Sequence, residues 1–352
     1  MVDEIYYKTN QMMLTTNNKE KKTSLSIIIP VYNMVKYVER CINSIRNQDF
    51  DDWEIILIDD GSNDGSSDIC NVIEHNDARI KALHQNNSGV NVARLNGFKE
   101  STGDFLMFVD ADDMLPEGTL SILMSEIKKG YDIVKGGHLI FDDKNRTYNN
   151  EPYRIYEKKF TSGEDFAIAL YKGEIPPYLV AGIYRRDIIE ESFFQRLINY
   201  NITIGEDCLM NMFVSRNVKQ VKIVPQTVYL YYCNMDSVMN TKTMGREYAN
   251  RVDMCISDFV ASASEEVKRL FVLNQVKGII SRDFQKEIKF SMKDYRFVRT
   301  YISCSENWKR LRSSISPKFT IFLKNLPLYF AYSRLYAYCK WIKKGMHNKK
   351  VI

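Results

Sequence analysis

Long apolar runs, paired cysteines and glycine-rich phosphate loops are all missing from this 352-residue chain. No segment approaches the ~18 consecutive apolar residues needed to cross a bilayer, and the first 22 residues are polar, without the apolar stretch of a secretory signal. The expectation is a cytoplasmic protein with a flexible N-terminal tail over residues 1–22. Seven scattered cysteines, odd in number and with no Cys-x-x-Cys pair, provide neither a disulfide framework nor a zinc site. The four histidines share no spacing relation, and none is assigned a ligand role. No Gly-x-Gly-x-x-Gly follows the first apolar run and no Walker lysine motif occurs, so neither a dinucleotide fold nor a P-loop enzyme is supported.

Acidic residues are absent from the last 46 positions, residues 307–352, which hold eleven Lys or Arg. The formal charge of +5 therefore leaves 5 − 11 = −6 on the preceding 306 residues. Aromatic residues from Phe319 to Trp341 are interleaved with those cations, and Pro327 interrupts them. A helix with aromatic anchors and a lysine-rich face suits the interface of an anionic membrane, at about 1 kcal/mol per basic residue. The alternative is a packed helix whose lysines are merely solvated. No recognition motif accompanies the charge, so nucleic acid is not expected as a partner.

What is present is an alternation. The β-branched run Leu25 to Val31 precedes Val35, Val38, Cys41, Ile42 and Ile45 at helical spacing; Glu54 to Ile58 precedes Ile69, Val72 and Ile73 at i, i+3, i+4. A third strand is expected over Arg79 to His84, a helix from about Ser88-Gly89, and a fourth strand ending at Asp110. Such alternation predicts an α/β fold with right-handed crossovers, a mainly parallel sheet and helices on both faces. Further strands are expected over Tyr131 to Phe141 and, as a pair or one long strand, over Gln220 to Tyr232. Largely helical residues are expected from Glu247 onward.

In such sheets ligands bind beyond the carboxyl ends of the strands. Three polar clusters fall there: Pro30-Val31-Tyr32-Asn33, Asp59-Asp60-Gly61-Ser62 and Asp110-Ala111-Asp112-Asp113. Carboxylates crowded at a strand end repel one another, and a divalent cation relieves this; Mg²⁺ is commonly held by one or two carboxylates plus substrate phosphates. The middle cluster is also compatible with a simple polar turn. A calcium loop would need a bidentate Glu where Asn71 stands. Asp113 alone suits a helix cap ahead of Leu115-Pro116, and Glu206-Asp207 before Leu209 to Val214 suits the acidic first turn of a helix.

Taken together from Leu25 to about Asn240, these motifs resemble the family 2 inverting, nucleotide-sugar-dependent glycosyltransferases of the GT-A fold. The resemblance implies a catalytic domain over residues 23–245, with a nucleotide-binding half (23–120) and an acceptor half (121–245), followed by a helical C-terminal region (246–352). It implies a nucleoside site along Pro30, Val31, Tyr32 and Asn33, with Asp60 accepting from the base. Gly89 and Arg94 would approach the diphosphate, although Leu95 stands where the family often has Asn. Asp110-Ala111-Asp112 resembles the Asp-x-Asp motif, with Asp110 and Asp112 binding Mn²⁺ or Mg²⁺. Glu206-Asp207, about 95 residues later, is similar to the acidic pair that contains the general base, here Asp207. Gly182 to Arg186 resembles a segment bordering the acceptor side, with Ala181 where Trp is common.

The implied donor is a nucleotide sugar, UDP-linked as first choice, and the implied acceptor a glycan or lipid-linked glycan. Peripheral association with the inner face of the cell membrane would follow from the basic, aromatic C-terminal tail. Two other readings stay open: a non-catalytic nucleotide-sugar or glycan-binding subunit on the same fold, and a nucleotidyltransferase. Glu206-Asp207 argues against the first, and the lack of a basic glycine-rich loop near the first strand against the second.

Overall fold

The computed structural model describes residues 24–142, 147–149, 156–233 and 246–273, together with residues 307, 309 and 311. Both expected tails, residues 1–22 and the aromatic basic stretch from Lys318, lie outside the described residues. The chain divides into two compact units between residues 242 and 243. The second holds α8 (Arg246–Ser262) and a further helical stretch over residues 265–273.

The first unit is built on one sheet. Its strands are β1 (Leu25–Val31), β2 (Trp53–Asp59), β3 (Ile80–His84), β4 (Phe105–Phe108), β5 (Ile133–Phe141), β6 (Thr147–Asn149), β7 (Lys158–Phe160), β8 (Gly182–Arg185) and β9 (Val221–Tyr232). The order is β3-β2-β1-β4-β8-β5-β9-β7, with β6 on β5. The segment up to β4 is wholly parallel: β1 pairs with β2 from Leu25↔Trp53 to Val31↔Asp59, and with β4 from Leu25↔Phe105 to Ile28↔Phe108. Strand β5 is parallel to β9, and β8 runs antiparallel between β4 and β5.

The alternation of the β1 side chains explains why both faces are covered. Leu25, Ile27, Ile29 and Val31 join Val38, Cys41, Ile42 and Ile45 of α1 (Val38–Arg46), Cys70 and Ile73 of α2 (Ser66–Asn76), and Leu120, Leu123 and Ile127 of α4 (Thr119–Ile127) in one buried cluster. Period-2 side chains cannot all point one way. Ile28, with Ile58 of β2, faces the other side and meets α3 (Val90–Glu100) at Gly97, where a Cβ would come within 2.6 Å of both residues. On the same face Phe108 lies 6.3 Å from Phe194 of α6 (Glu191–Asn199).

Two local expectations shift, and between them one open alternative is decided. Strand β4 ends at Phe108, two residues before Asp110. Residues Val221–Tyr232 form one long strand. Asp113 caps no helix: α4 begins at Thr119 after the left-handed Gly118, while Asp113 is fully buried and accepts the Tyr232 backbone N–H at 2.7 Å.

Candidate active site

The carboxyl ends of β1, β2 and β4 lie side by side in the sheet, and hydrogen bonds stitch the clusters after β1 and β2 into one surface. Asp60 N–H donates to Val31 O, Asn33 N–H to Ser62 Oγ, and Asn63 N–H to Asn33 Oδ1. Gly61 (φ +74°) must be glycine, since a Cβ would lie 2.7 Å from Asn87 N. Tyr32 is left 44% exposed at the mouth of this surface, and Pro30 and Val31 form the strand end beneath it.

Asp60 is buried and holds the loop that leads into α3. Its Oδ1 accepts from Gln85 Nε2 and Ser88 N–H, both at 2.7 Å, and its Oδ2 from Gly89 N–H at 2.8 Å. Gly89 (φ +90°) then turns the chain into Val90. Asp59, also buried, accepts from Ser62 N–H and pairs with His84 Nδ1 at 3.1 Å.

Arg94 is the hub of the site. It is 2% exposed on α3, and its guanidinium reaches acids from two distant parts of the chain. Nη2 donates to Asp110 Oδ1 at 3.2 Å, while Nη1 donates to Asp207 Oδ1 at 2.9 Å and lies 3.5 Å from Glu206 Oε1. Glu206 and Asp207 open α7 (Glu206–Val214), after a left-handed Gly205. Burial pushes the Asp110 and Glu206 carboxyls up and proximity to Asp207 adds to it, with Arg94 opposing in both. Burial, then Asp110, raises Asp112 to about 6. The Asp112 carbonyl accepts from Arg40 Nη2 at 2.8 Å, and that guanidinium sits over the rings of Tyr37, Phe141 and Tyr232. Ala111 is buried between the two aspartates, and Tyr229 Oη accepts the Asp110 N–H at 3.1 Å.

The donor set suits a hard divalent ion completed by substrate oxygens. Among the described residues no group of three or more His, Cys, Asp or Glu could hold a metal by itself, and Asp110 with Asp112 supplies two carboxylates. Burial is the main cause of both raised carboxyls, with repulsion from neighbouring carboxylates adding to it, and a divalent cation would oppose both.

The site thus joins Asp60, Gly89, Arg94, Asp110, Ala111, Asp112, Glu206 and Asp207, with Pro30 to Asn33 alongside. Sequence alone does not single out Arg40, Lys135, Tyr184, Asn211 or Tyr229. Gly182 and Gly136 are the available signal for Lys135: a Cβ at Gly182 would lie 2.7 Å from Lys135 Cγ, and one at Gly136 2.7 Å from the Val228 side chain.

Residues 26–193 match Glycosyl transferase family 2. An uncharacterized glycosyltransferase of Bacillus subtilis, EpsJ, is 31% identical over 61% of this chain and 62% of its own. The GalNAc(5)-diNAcBac-PP-undecaprenol beta-1,3-glucosyltransferase of Campylobacter jejuni is 34% identical over 48% of this chain and 54% of its own. The matched regions therefore span less than two thirds of these relatives. The crystal structure of S. aureus TarS 1-349 in complex with UDP-GlcNAc shares the fold, with a TM-score of 0.62 and 17% identity over 88% of this chain and 89% of that one.

Proposed function

Since this chain belongs to glycosyl transferase family 2 through residues 26–193, we propose that it transfers a sugar from a nucleoside-diphosphate donor to a hydroxyl of a glycan or lipid-linked glycan, with inversion at the anomeric carbon. One observation carries the reading: a single buried guanidinium, Arg94, holds Asp110 of the Asp-x-Asp turn and the Glu206-Asp207 pair in one cluster at the strand ends. A displacement needs its leaving-group acids and its base within one substrate's length, and this arrangement supplies that.

The contacts support the following roles. Tyr32 and Asn33 flank the nucleoside. Asp60 has about four acceptor positions on its carboxylate, of which three are taken by the 85–89 loop, so one remains for a base N–H. Asp110 and Asp112 would hold Mn²⁺ or Mg²⁺, which when bound offsets charge on the departing diphosphate. Arg94 occupies only Oδ1 of Asp207, leaving Oδ2 to take the proton of the attacking hydroxyl, a contribution of ~10² to 10⁴ in rate. Glu206 adds negative potential beside that base. No covalent intermediate is invoked, so one displacement inverts the centre.

UDP-sugars are the first choice of donor, supported by the UDP-GlcNAc complex of TarS, and the name of the Campylobacter relative supports a lipid-linked acceptor. Such an acceptor would place the protein at the cytoplasmic face of a membrane as a peripheral protein. No helix among the described residues is long and apolar enough to cross one. The test is UDP release from a panel of UDP-sugars with Mn²⁺, Mg²⁺ or EDTA. EDTA and Asp112→Asn are each expected to abolish turnover, and Asp207→Asn to lower it at least a hundredfold with UDP affinity within threefold of wild type. Full turnover in EDTA, or from Asp112→Asn, sinks the mechanism.

A further inference from the structure

Among the described residues Lys135 is the most deeply buried basic side chain, and the mechanism above does not use it. It lies on β5 opposite Gly182 of β8, is 1% exposed, and its Nζ reaches Tyr178 O at 2.6 Å, Tyr184 Oη at 2.9 Å and Val180 O at 3.1 Å. Three N–H donors meet three acceptors, which satisfies a buried ammonium. Tyr184 Oη in turn lies 2.9 Å from Asn211 Oδ1 and 3.0 Å from Leu179 O, sharing its one proton between them. Asn211, fully buried on α7, places Nδ2 2.8 Å from Pro177 O, 3.0 Å from Tyr178 O and 3.1 Å from Asp207 O.

The consequence is unusual for a loop. Every carbonyl from Pro177 to Val180 is held by one of three buried side chains, and the next, Ala181 O, accepts Gly136 N–H at 3.0 Å. Ala181 itself is buried at φ +62°, a left-handed conformation that is strained for a non-glycine residue and persists only where the surroundings impose it. The room for this is built in: at Gly182 any Cβ would strike the Lys135 stem. Burial lowers the Lys135 ammonium to about 7, with Asp207 opposing, so the cluster also lies within electrostatic reach of the base.

We propose that Lys135, Tyr184 and Asn211 are positioning residues that lock the 177–181 loop to the first turn of α7, so that the loop and the Glu206-Asp207 pair keep one fixed relation. Asn211 is the link, since one amide serves both the loop and the Asp207 carbonyl. The loop then forms a rigid wall beside the base, on the acceptor side of the proposed reaction, and the inference rests on that reading only for its effect on turnover.

The test compares full-length wild type, Lys135→Met and Tyr184→Phe by amide hydrogen exchange, by UDP affinity with Mn²⁺, and by UDP release from the UDP-sugar panel. A lock predicts exchange at least tenfold faster in both 178–182 and 206–212, unchanged exchange in β1 and β2, UDP affinity within threefold, and turnover reduced at least tenfold. If Lys135→Met fails to fold, Tyr184→Phe decides alone, since it removes one hydroxyl and keeps the ring. Faster exchange in 178–182 with 206–212 unaffected overturns the proposal, and so does faster exchange throughout with loss of UDP binding. Should wild type release UDP from no donor, the functional reading falls while the exchange result still decides the lock.

Discussion

Replacing Arg94 with methionine keeps the length and apolar stem of the side chain and removes the charge from the centre of the site. Three carboxylates then lose their shared cation, at 2.9, 3.2 and 3.5 Å. Breaking a buried ion pair from one side costs about 3–5 kcal/mol, because a charge is left uncompensated. Here the lower end applies: the Asp110 side chain retains 36% exposure and can regain water, whereas Glu206 and Asp207 retain 16% and 20%. A loss of about 3 kcal/mol corresponds to a fall in melting temperature of roughly 6–12 °C for a domain of this size. The diagnostic step is the second substitution. Glu206→Gln in the Arg94→Met background removes one of the repelling charges and should restore about 1 kcal/mol or more, although in wild type the same change is destabilising. Urea denaturation of the four proteins gives the cycle. Additive losses, or an Arg94→Met penalty below about 1 kcal/mol, would refute the view that Arg94 neutralises the cluster.

Two further outcomes are expected. Asp77 is held at about 2, below its ordinary 3.8, chiefly by hydrogen bonds from the Arg79 side chain, with Arg46 Nε also 3.1 Å away. Its folded-state value is depressed, so its stabilisation is complete above about 4 and is lost as pH falls through 2. Because Arg79 is 39% exposed, solvent screening reduces the contribution to about 1 kcal/mol. The difference in urea midpoint between wild type and Asp77→Asn should accordingly be full at pH 5 and close to nil at pH 2, and a constant gap would contradict the assignment. Tyr229→Phe leaves the Asp110 N–H without its acceptor, at a cost of about 1–3 kcal/mol. It should lower UDP affinity in Mn²⁺ more than in EDTA, and equal losses in both would show that the hydroxyl does not set the acidic turn.

The alternation of strands and helices up to Asp110 was legible because each strand there is a short apolar run followed by an apolar helical face. Strand β8 was not, since four residues of mixed polarity acquire strand character only when β4 and β5 flank them. Arg94 reads as a group approaching the diphosphate and not as a buried hub, because its helix buries Asn91, Ala93, Arg94, Leu95 and Gly97 together and polar residues hide the inward face. Asp113 reads as a cap because its partners, Tyr229 and Tyr232, lie on β9, more than a hundred residues away. The acids themselves were visible as motifs, whereas the groups that neutralise and orient them belong to other elements.

Strand β9 carries a consequence for how the protein comes into being. Tyr229 holds the Asp110 amide, Tyr232 is held by Asp113, and Leu230 exchanges two backbone hydrogen bonds with Met114. The acidic turn is translated early, yet its fixed form depends on residues that leave the ribosome more than a hundred positions later. A nascent chain that already displays β1 to β4 therefore has its Asp-x-Asp sequence without the geometry. On the proposed reading, donor capture during synthesis would wait until the last strand of the sheet has been delivered.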